Sequence, residues 1–152
     1  MALVQTAEAF LGVVDQALRD HGLSRAGRQA LAVIDGAGEP LSPTAIADRL
    51  IVTTASVTSL LDTLERKGLL MRRPDPDDRR RLHVVLTDAG REAVEDFLPQ
   101  VVALQTAALS GLAEAERQTL LDLLRRIEAG VAAVDARAVV AAAPRRGTPR
   151  RG

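Results

Sequence analysis

Apolar residues recur every three or four positions at the start of the chain, at Leu3, Ala7, Leu11, Val14 and Leu18. This is the period of a helix with one buried stripe. Gly22 ends that helix, and Ser24 offers a cap for a second from about Arg25 to Asp35, with Leu31 and Ile34 inward. After the turn Gly36–Pro40, the pair Ser42-Pro43 predicts a helix start. The hydroxyl accepts a free amide of the first turn, and proline sits where its missing donor costs nothing. That helix is short and carries Ile46, Ala47 and Leu50. Only Ile51 and Val52 separate it from Thr53, a cap for a helix running to Lys67 with Val57, Leu60, Leu61 and Leu64 inward. Gly68 stops it.

The period then changes to two. Leu69–Arg73 and Leu82–Thr87 read as strands, the second with Leu82, Val84 and Leu86 on one face and His83 and Val85 on the other. Pro74–Arg81 joins them as a protruding polar loop. Thr87 caps a long helix from about Asp88 to Leu109, for which Pro99 predicts a kink or a short break. A last helix starts near Glu114, where Glu114 and Glu116 suit the positive end of the helix. Its apolar residues Leu120, Leu124, Ile127, Val131 and Val134 are spaced 4, 3, 4 and 3, a coiled-coil seam. From Ala143 the chain reads as disordered.

Composition narrows the chemistry. Aliphatic residues build the core almost alone, with two Phe and neither Trp nor Tyr. The absence of Cys excludes disulfides, thiolate metal sites and cysteine nucleophiles. There is no apolar run of about 20 residues to span a bilayer and no secretory leader pattern, so a cytoplasmic location without a membrane partner is expected. Twenty basic and twenty acidic residues cancel, but they are unevenly placed. Residues 72–81 hold five Arg against three Asp, and 145–151 hold four Arg with no acid.

Two short capped helices with a minimal turn between them, followed by a hairpin, have the order of a winged helix-turn-helix. The second helix of such a pair enters the major groove, so its outward face needs small polar side chains that reach base edges. Here that face holds Thr54, Ala55, Ser56, Thr58, Ser59, Asp62 and Thr63. Thr53 and Ser42 lie at the two helix starts, where hydroxyls can meet phosphates. Arg79, Arg80 and Arg81 at the hairpin tip can reach phosphates or a narrow minor groove. The candidate DNA-binding residues are therefore Ser42, Thr53, Thr54, Ser56, Thr58, Ser59, Arg79, Arg80 and Arg81.

Three stretches resemble the MarR family, the multiple-antibiotic-resistance regulators. They are Ala45–Leu50, Val57–Leu69, and Pro74–Arg81 continuing to Leu86-Thr87-Asp88-Ala89-Gly90. The wing pattern Asp-x-Arg falls on Asp78 and Arg80, and the likeness covers nearly all of residues 3–137. It implies a mainly α fold with a small β-hairpin wing, a winged helix-turn-helix core (about 24–90) flanked by N- and C-terminal dimerisation helices (1–20 and 88–140). One domain then spans 1–142, with a disordered Arg-rich tail over 143–152. It also implies a homodimer on a roughly palindromic double-stranded operator, usually a repressor, released by a small anionic or phenolic effector. The dimer interface would use Leu3 and Leu11 with Leu120, Leu124, Ile127, Val131 and Val134. Arg80 becomes the wing-tip minor-groove residue, and Asp78 holds the loop by pairing with Arg72 or Arg73.

Departures from the family pattern sharpen these expectations. A basic side chain is usual at the positions of Ser59 and Thr63, and Asp62, Glu65, Arg66 and Lys67 leave the helix with almost no net charge. Phosphate neutralisation then falls mainly to the wing. The alternative is a winged-helix protein-interaction module with little DNA affinity. No persuasive spacing of nucleophile and base, paired carboxylates or metal ligands points to an enzyme. Asp75, Asp77 and Asp78 lack the Gly and distal Glu of a calcium loop, since Leu86 stands at the latter position. His21 and His83 are too few for a histidine-rich zinc site. No metal or cofactor is expected, and no effector-binding residues are assigned.

Overall fold

The computed structural model describes residues 1–50, 52–75, 78 and 81–135. Its elements follow the predicted order: α1 (Ala2–Ala17), a 3-10 turn (Arg19–His21), α2 (Arg25–Gly36), α3 (Pro43–Leu50) and α4 (Thr54–Arg66). Then come β1 (Leu70–Pro74), β2 (Leu82–Leu86), α5 (Asp88–Ala108) and α6 (Glu114–Ala132). The predicted hydroxyl caps are in place. Ser24, Ser42, Thr53 and Thr87 accept the backbone N–H of Gly27, Ala45, Ser56 and Gly90, at 3.1, 3.1, 3.2 and 3.1 Å. Each satisfies a donor that the first turn of a helix leaves free.

The chain divides into two compact units, Met1–Ala108 and Leu109–Gly152. The core of the first is aliphatic. Leu18, Leu31, Ile46, Val57, Leu61, Leu64, Leu70 and Val84 are buried, with Phe97 of α5 as the largest side chain among them. β1 and β2 pair antiparallel in the register Leu70↔Leu86, Arg72↔Val84 and Pro74↔Leu82. Leu41, just before α3, adds a one-residue third strand. Its N–H bonds the Val84 carbonyl at 3.4 Å, and its carbonyl accepts the Val84 N–H at 2.8 Å.

Two junctions fix the hairpin on the helices. Gly68 takes a left-handed φ of 72°, which turns the chain out of α4. The Thr87 hydroxyl donates to the Gly68 carbonyl at 2.6 Å while accepting from Gly90, and the Thr87 N–H bonds the Leu69 carbonyl at 3.2 Å. The first turn of α5 therefore lies directly on the peptide that leads into β1.

Of the kink or short break expected at Pro99, the break is corrected: α5 runs through it. Pro99 sits on the exposed side of the helix, where water can satisfy the carbonyl that its missing N–H releases. Val94 and Phe97 on the opposite side hold the helix on the core.

The second unit carries α6. The Glu116 carboxylate accepts the Ala113 N–H at 2.7 Å, closing the first turn. Leu124, Ile127 and Val131 of this helix are 39, 46 and 58% exposed, an apolar stripe that the single chain does not cover. No single helix among the described residues is long and apolar enough to cross a membrane.

Candidate nucleic-acid interface

α4 buries Val57, Leu61 and Leu64 and turns Thr54, Ala55, Ser56, Thr58, Ser59, Asp62 and Thr63 to solvent, the face that the spacing predicts. The Thr58 hydroxyl bonds the Thr54 carbonyl at 3.0 Å, and that of Thr63 bonds the Ser59 carbonyl at 2.9 Å. Thr53 and Ser56 share a hydroxyl contact at 2.8 Å where the helix starts. Ser42 is half-buried and capping. Small side chains bound back on their own helix leave its backbone open to close approach.

The wing is built around a residue that the sequence reading weighed only as a metal ligand. Asp75 accepts the Asp78 N–H at 3.0 Å through one carboxylate oxygen and meets the His83 Nε2 at 3.1 Å with the other. Its own N–H bonds the Arg81 carbonyl at 3.0 Å, and the Arg81 N–H bonds the Asp78 carbonyl at 2.8 Å. An aspartate that opens a loop three residues before a turn amide is the available sequence signal, since its side chain can mimic a backbone turn. His83, predicted on an outward face, is thus drawn onto the loop. Arg81 is exposed beside Asp78, with its Nε 3.5 Å from that carboxylate. Arg79 and Arg80 lie outside the described residues.

The pairing of Asp78 with Arg72 or Arg73 is corrected. Arg72 instead reaches α4: its Nη2 bonds Asp62 Oδ1 at 2.6 Å, its Nη1 bonds Glu65 Oε2 at 2.5 Å, and its backbone N–H meets Glu65 Oε1 at 3.0 Å. The register places Arg72 opposite the buried Val84, on the face that packs against the helices. It therefore cannot also serve the loop. Burial alone would lower the Arg72 guanidinium, but hydrogen bonds and charge from Asp62 and Glu65 outweigh it and hold its pKa above the ordinary arginine value. Arg73 is exposed, with its Nε 3.1 Å from the Met71 sulfur.

A second feature lies on the other side of α2. A cleft of about 200 Å³ opens between α1, α2 and α5, among Phe10, Val14, Phe97, Arg25, Arg28 and Gln105. Asp15 of α1 binds both arginines, with Arg25 Nη2 at 2.5 Å on one oxygen and Arg28 Nη2 at 2.5 Å on the other. Arg28 is 5% exposed and donates a further bond to the Leu23 carbonyl at 2.7 Å, so its charge is fully partnered. The other histidine, His21, meets Asp96 of α5 at 2.9 Å.

The hydrogen bond from Arg25 holds the Asp15 carboxyl below its ordinary value, against some desolvation and with further attraction from both guanidiniums. A carboxylate lowered on folding contributes stability above its unfolded pKa of about 4 and loses it as pH falls through the folded value. Melting curves of the wild type and Asp15→Asn are therefore expected to differ fully above about pH 5, to begin to approach each other near about pH 4, and to converge only once pH has fallen through the lower folded value. A gap that persisted unchanged at acid pH would contradict this origin.

Comparison with known proteins agrees with the geometry. A family model described as the MarR family matches residues 21–81, the segment from the 3-10 turn through the wing. The HTH-type transcriptional regulator YkoM of Bacillus subtilis is 36% identical over 124 residues, covering 79% of each chain. The HTH-type transcriptional repressor YetL of the same organism is 30% identical over 125 residues, 82% of this chain and 75% of its own. Among solved structures, BpsR of Bordetella bronchiseptica superposes with a TM-score of 0.75 at 27% identity, covering 84% of this chain and 90% of its own. The chain belongs to the MarR family and is a DNA-binding transcriptional regulator of the winged helix-turn-helix type.

Proposed function

We propose that the protein is a homodimeric repressor of a nearby operon that reads a roughly palindromic operator and leaves it when a small anionic or phenolic molecule binds. The observation that carries this reading is the exposed Ser/Thr face of α4, flanked by a cation-rich wing, in a member of a family of transcriptional regulators. Thr54, Ser56, Thr58 and Ser59 face the major groove, and Ser42 and Thr53 lie near phosphates. Arg79, Arg80 and Arg81 supply the wing contact. Two-fold symmetry would put two such helices on half-sites about one helical turn apart.

The dimer interface assigned to Leu3, Leu11, Leu120, Leu124, Ile127, Val131 and Val134 is supported by the exposure of Leu3, Leu124, Ile127, Val131 and Val134 in the single chain. An apolar surface of this kind calls for a partner. The effector site proposed is the cleft between α1, α2 and α5, whose largely apolar walls suit a ring. BpsR, whose DNA binding is regulated by 6-hydroxynicotinic acid, supports that ligand class.

The test is selection of DNA by the purified protein from a random duplex library at two salt concentrations. A palindromic motif, held less well at the higher salt, is the expected result. Absence of enrichment by a folded dimer would favour the protein-interaction reading of a helix with almost no net charge. With the operator in hand, Arg80→Ala is expected to weaken binding at least about tenfold and to flatten the salt dependence, with the dimer intact. Unchanged affinity in a gel-shift titration would remove the wing assignment.

A further inference from the structure

From Thr54 to Leu64 the recognition helix carries one ionised side chain, and it is an acid, Asp62. The next residue along is Glu65, and both carboxylates are substantially exposed, at 53 and 36% of the side chain. A helix bearing two such charges would approach a polyanion against repulsion, because phosphates of the groove walls lie within a Debye length of about 8 Å. The nearby cations Arg66 and Lys67 are directed away from these carboxylates. Arg66 lies along its own helix, on the Asp62 carbonyl and the Thr63 hydroxyl, and Lys67 is fastened to the Gly22 carbonyl at 2.7 Å.

The guanidinium that meets both acids comes from the wing. Arg72 crosses from β1 with one nitrogen on each carboxylate, and its side chain is 21% exposed. Resting on the reading of α4 as the DNA-facing helix, we propose that Arg72 is a positioning residue that masks Asp62 and Glu65 and so allows α4 into the major groove. Its single positive charge sits between the two carboxylates and offsets one of them where they face the half-site. It also ties the wing strand to the reading helix, so that the two contacts of a half-site move together. Mechanical attachment does not depend on the guanidinium alone, because the Arg72 backbone N–H bonds Glu65 whatever side chain is present. The mask can therefore be removed while the hairpin stays attached.

The experiment measures operator affinity of the full-length wild type, Arg72→Gln, and the triple variant Asp62→Asn, Glu65→Gln, Arg72→Gln, from about 50 to 200 mM salt. Arg72→Gln is expected to bind at least about tenfold more weakly at low salt, with the deficit shrinking as salt rises and screens the uncovered acids. The triple variant, which has lost the same ion pairs but carries no charge to mask, is expected to return to within about threefold of the wild type. A purely structural clamp would leave the triple variant as weak as the single one, and that result overturns the proposal. So does an Arg72→Gln protein within threefold of wild type. A wild-type protein that binds no duplex would overturn the DNA-reading assignment as well, whereas failure confined to the variants removes the mask alone.

Discussion

Gly90→Ala is expected to cost at least about 3 kcal/mol of folding stability, since overpacking against backbone cannot be relieved by a rotamer change. A β-carbon at this position would stand 1.9 Å from the Leu69 carbonyl oxygen and 2.9 Å from its carbon. That oxygen already accepts the Thr87 N–H, and the Thr87 hydroxyl spans Gly68 and Gly90. Relief therefore requires lifting the first turn of α5 off the turn that leads into the wing. Urea unfolding measures the loss, with Gly36→Ala as the comparison. A β-carbon at Gly36 meets nothing within 4 Å, and that variant is expected to stay within about 1 kcal/mol of wild type. Equal midpoints for the two variants would mean that the close approach at Leu69 is not maintained in solution.

Phe97→Ala is expected to be as damaging, at about 3–5 kcal/mol, through lost transfer energy and the cavity left behind. Phe97 is 2% exposed and is the largest of the buried side chains, in a core otherwise made of aliphatic residues. It also forms a wall of the cleft beside Arg28. Phe97→Leu keeps much of the volume and is expected to lose less, so the two midpoints should rank in that order. If the cleft holds the effector, Phe97→Leu should also shift the ligand concentration that releases DNA without changing operator affinity in its absence. A parallel change in both would place Phe97 on the folding side alone.

Much of the DNA-binding half was legible in the sequence because its signals are local. A Ser or Thr three residues before a free amide is complete within one turn, and Ser24, Ser42, Thr53 and Thr87 all act as their spacing predicts. The inward and outward faces of α4 follow from its period in the same way. What was not legible depends on distance across the fold. The partners of Arg72 are set by the hairpin register and by how the hairpin folds back on α4, so pairing it with the wing loop was the wrong choice among nearby acids. Asp15 and Arg28 meet only because the turn after α1 brings its end beside the start of α2, and neither residue type announces such a contact. The break expected at Pro99 is absent for a related reason. Local propensity disfavours a helix there, and tertiary packing through Val94 and Phe97 prevails.

The bridge between Leu41 and Val84 also bears on how errors in the wing are corrected. In a hairpin joined by a long polar loop, the bonds that Asp75 makes in the turn are helped by a second check on register outside it. A slip of β2 by one residue would carry Val84 and Leu86 to solvent. Leu41 exchanges two backbone bonds with a single residue of β2, which a slip of one residue would break. Leu41 thus proofreads the hairpin: the wing is matched against a template laid down by the chain ahead of α3.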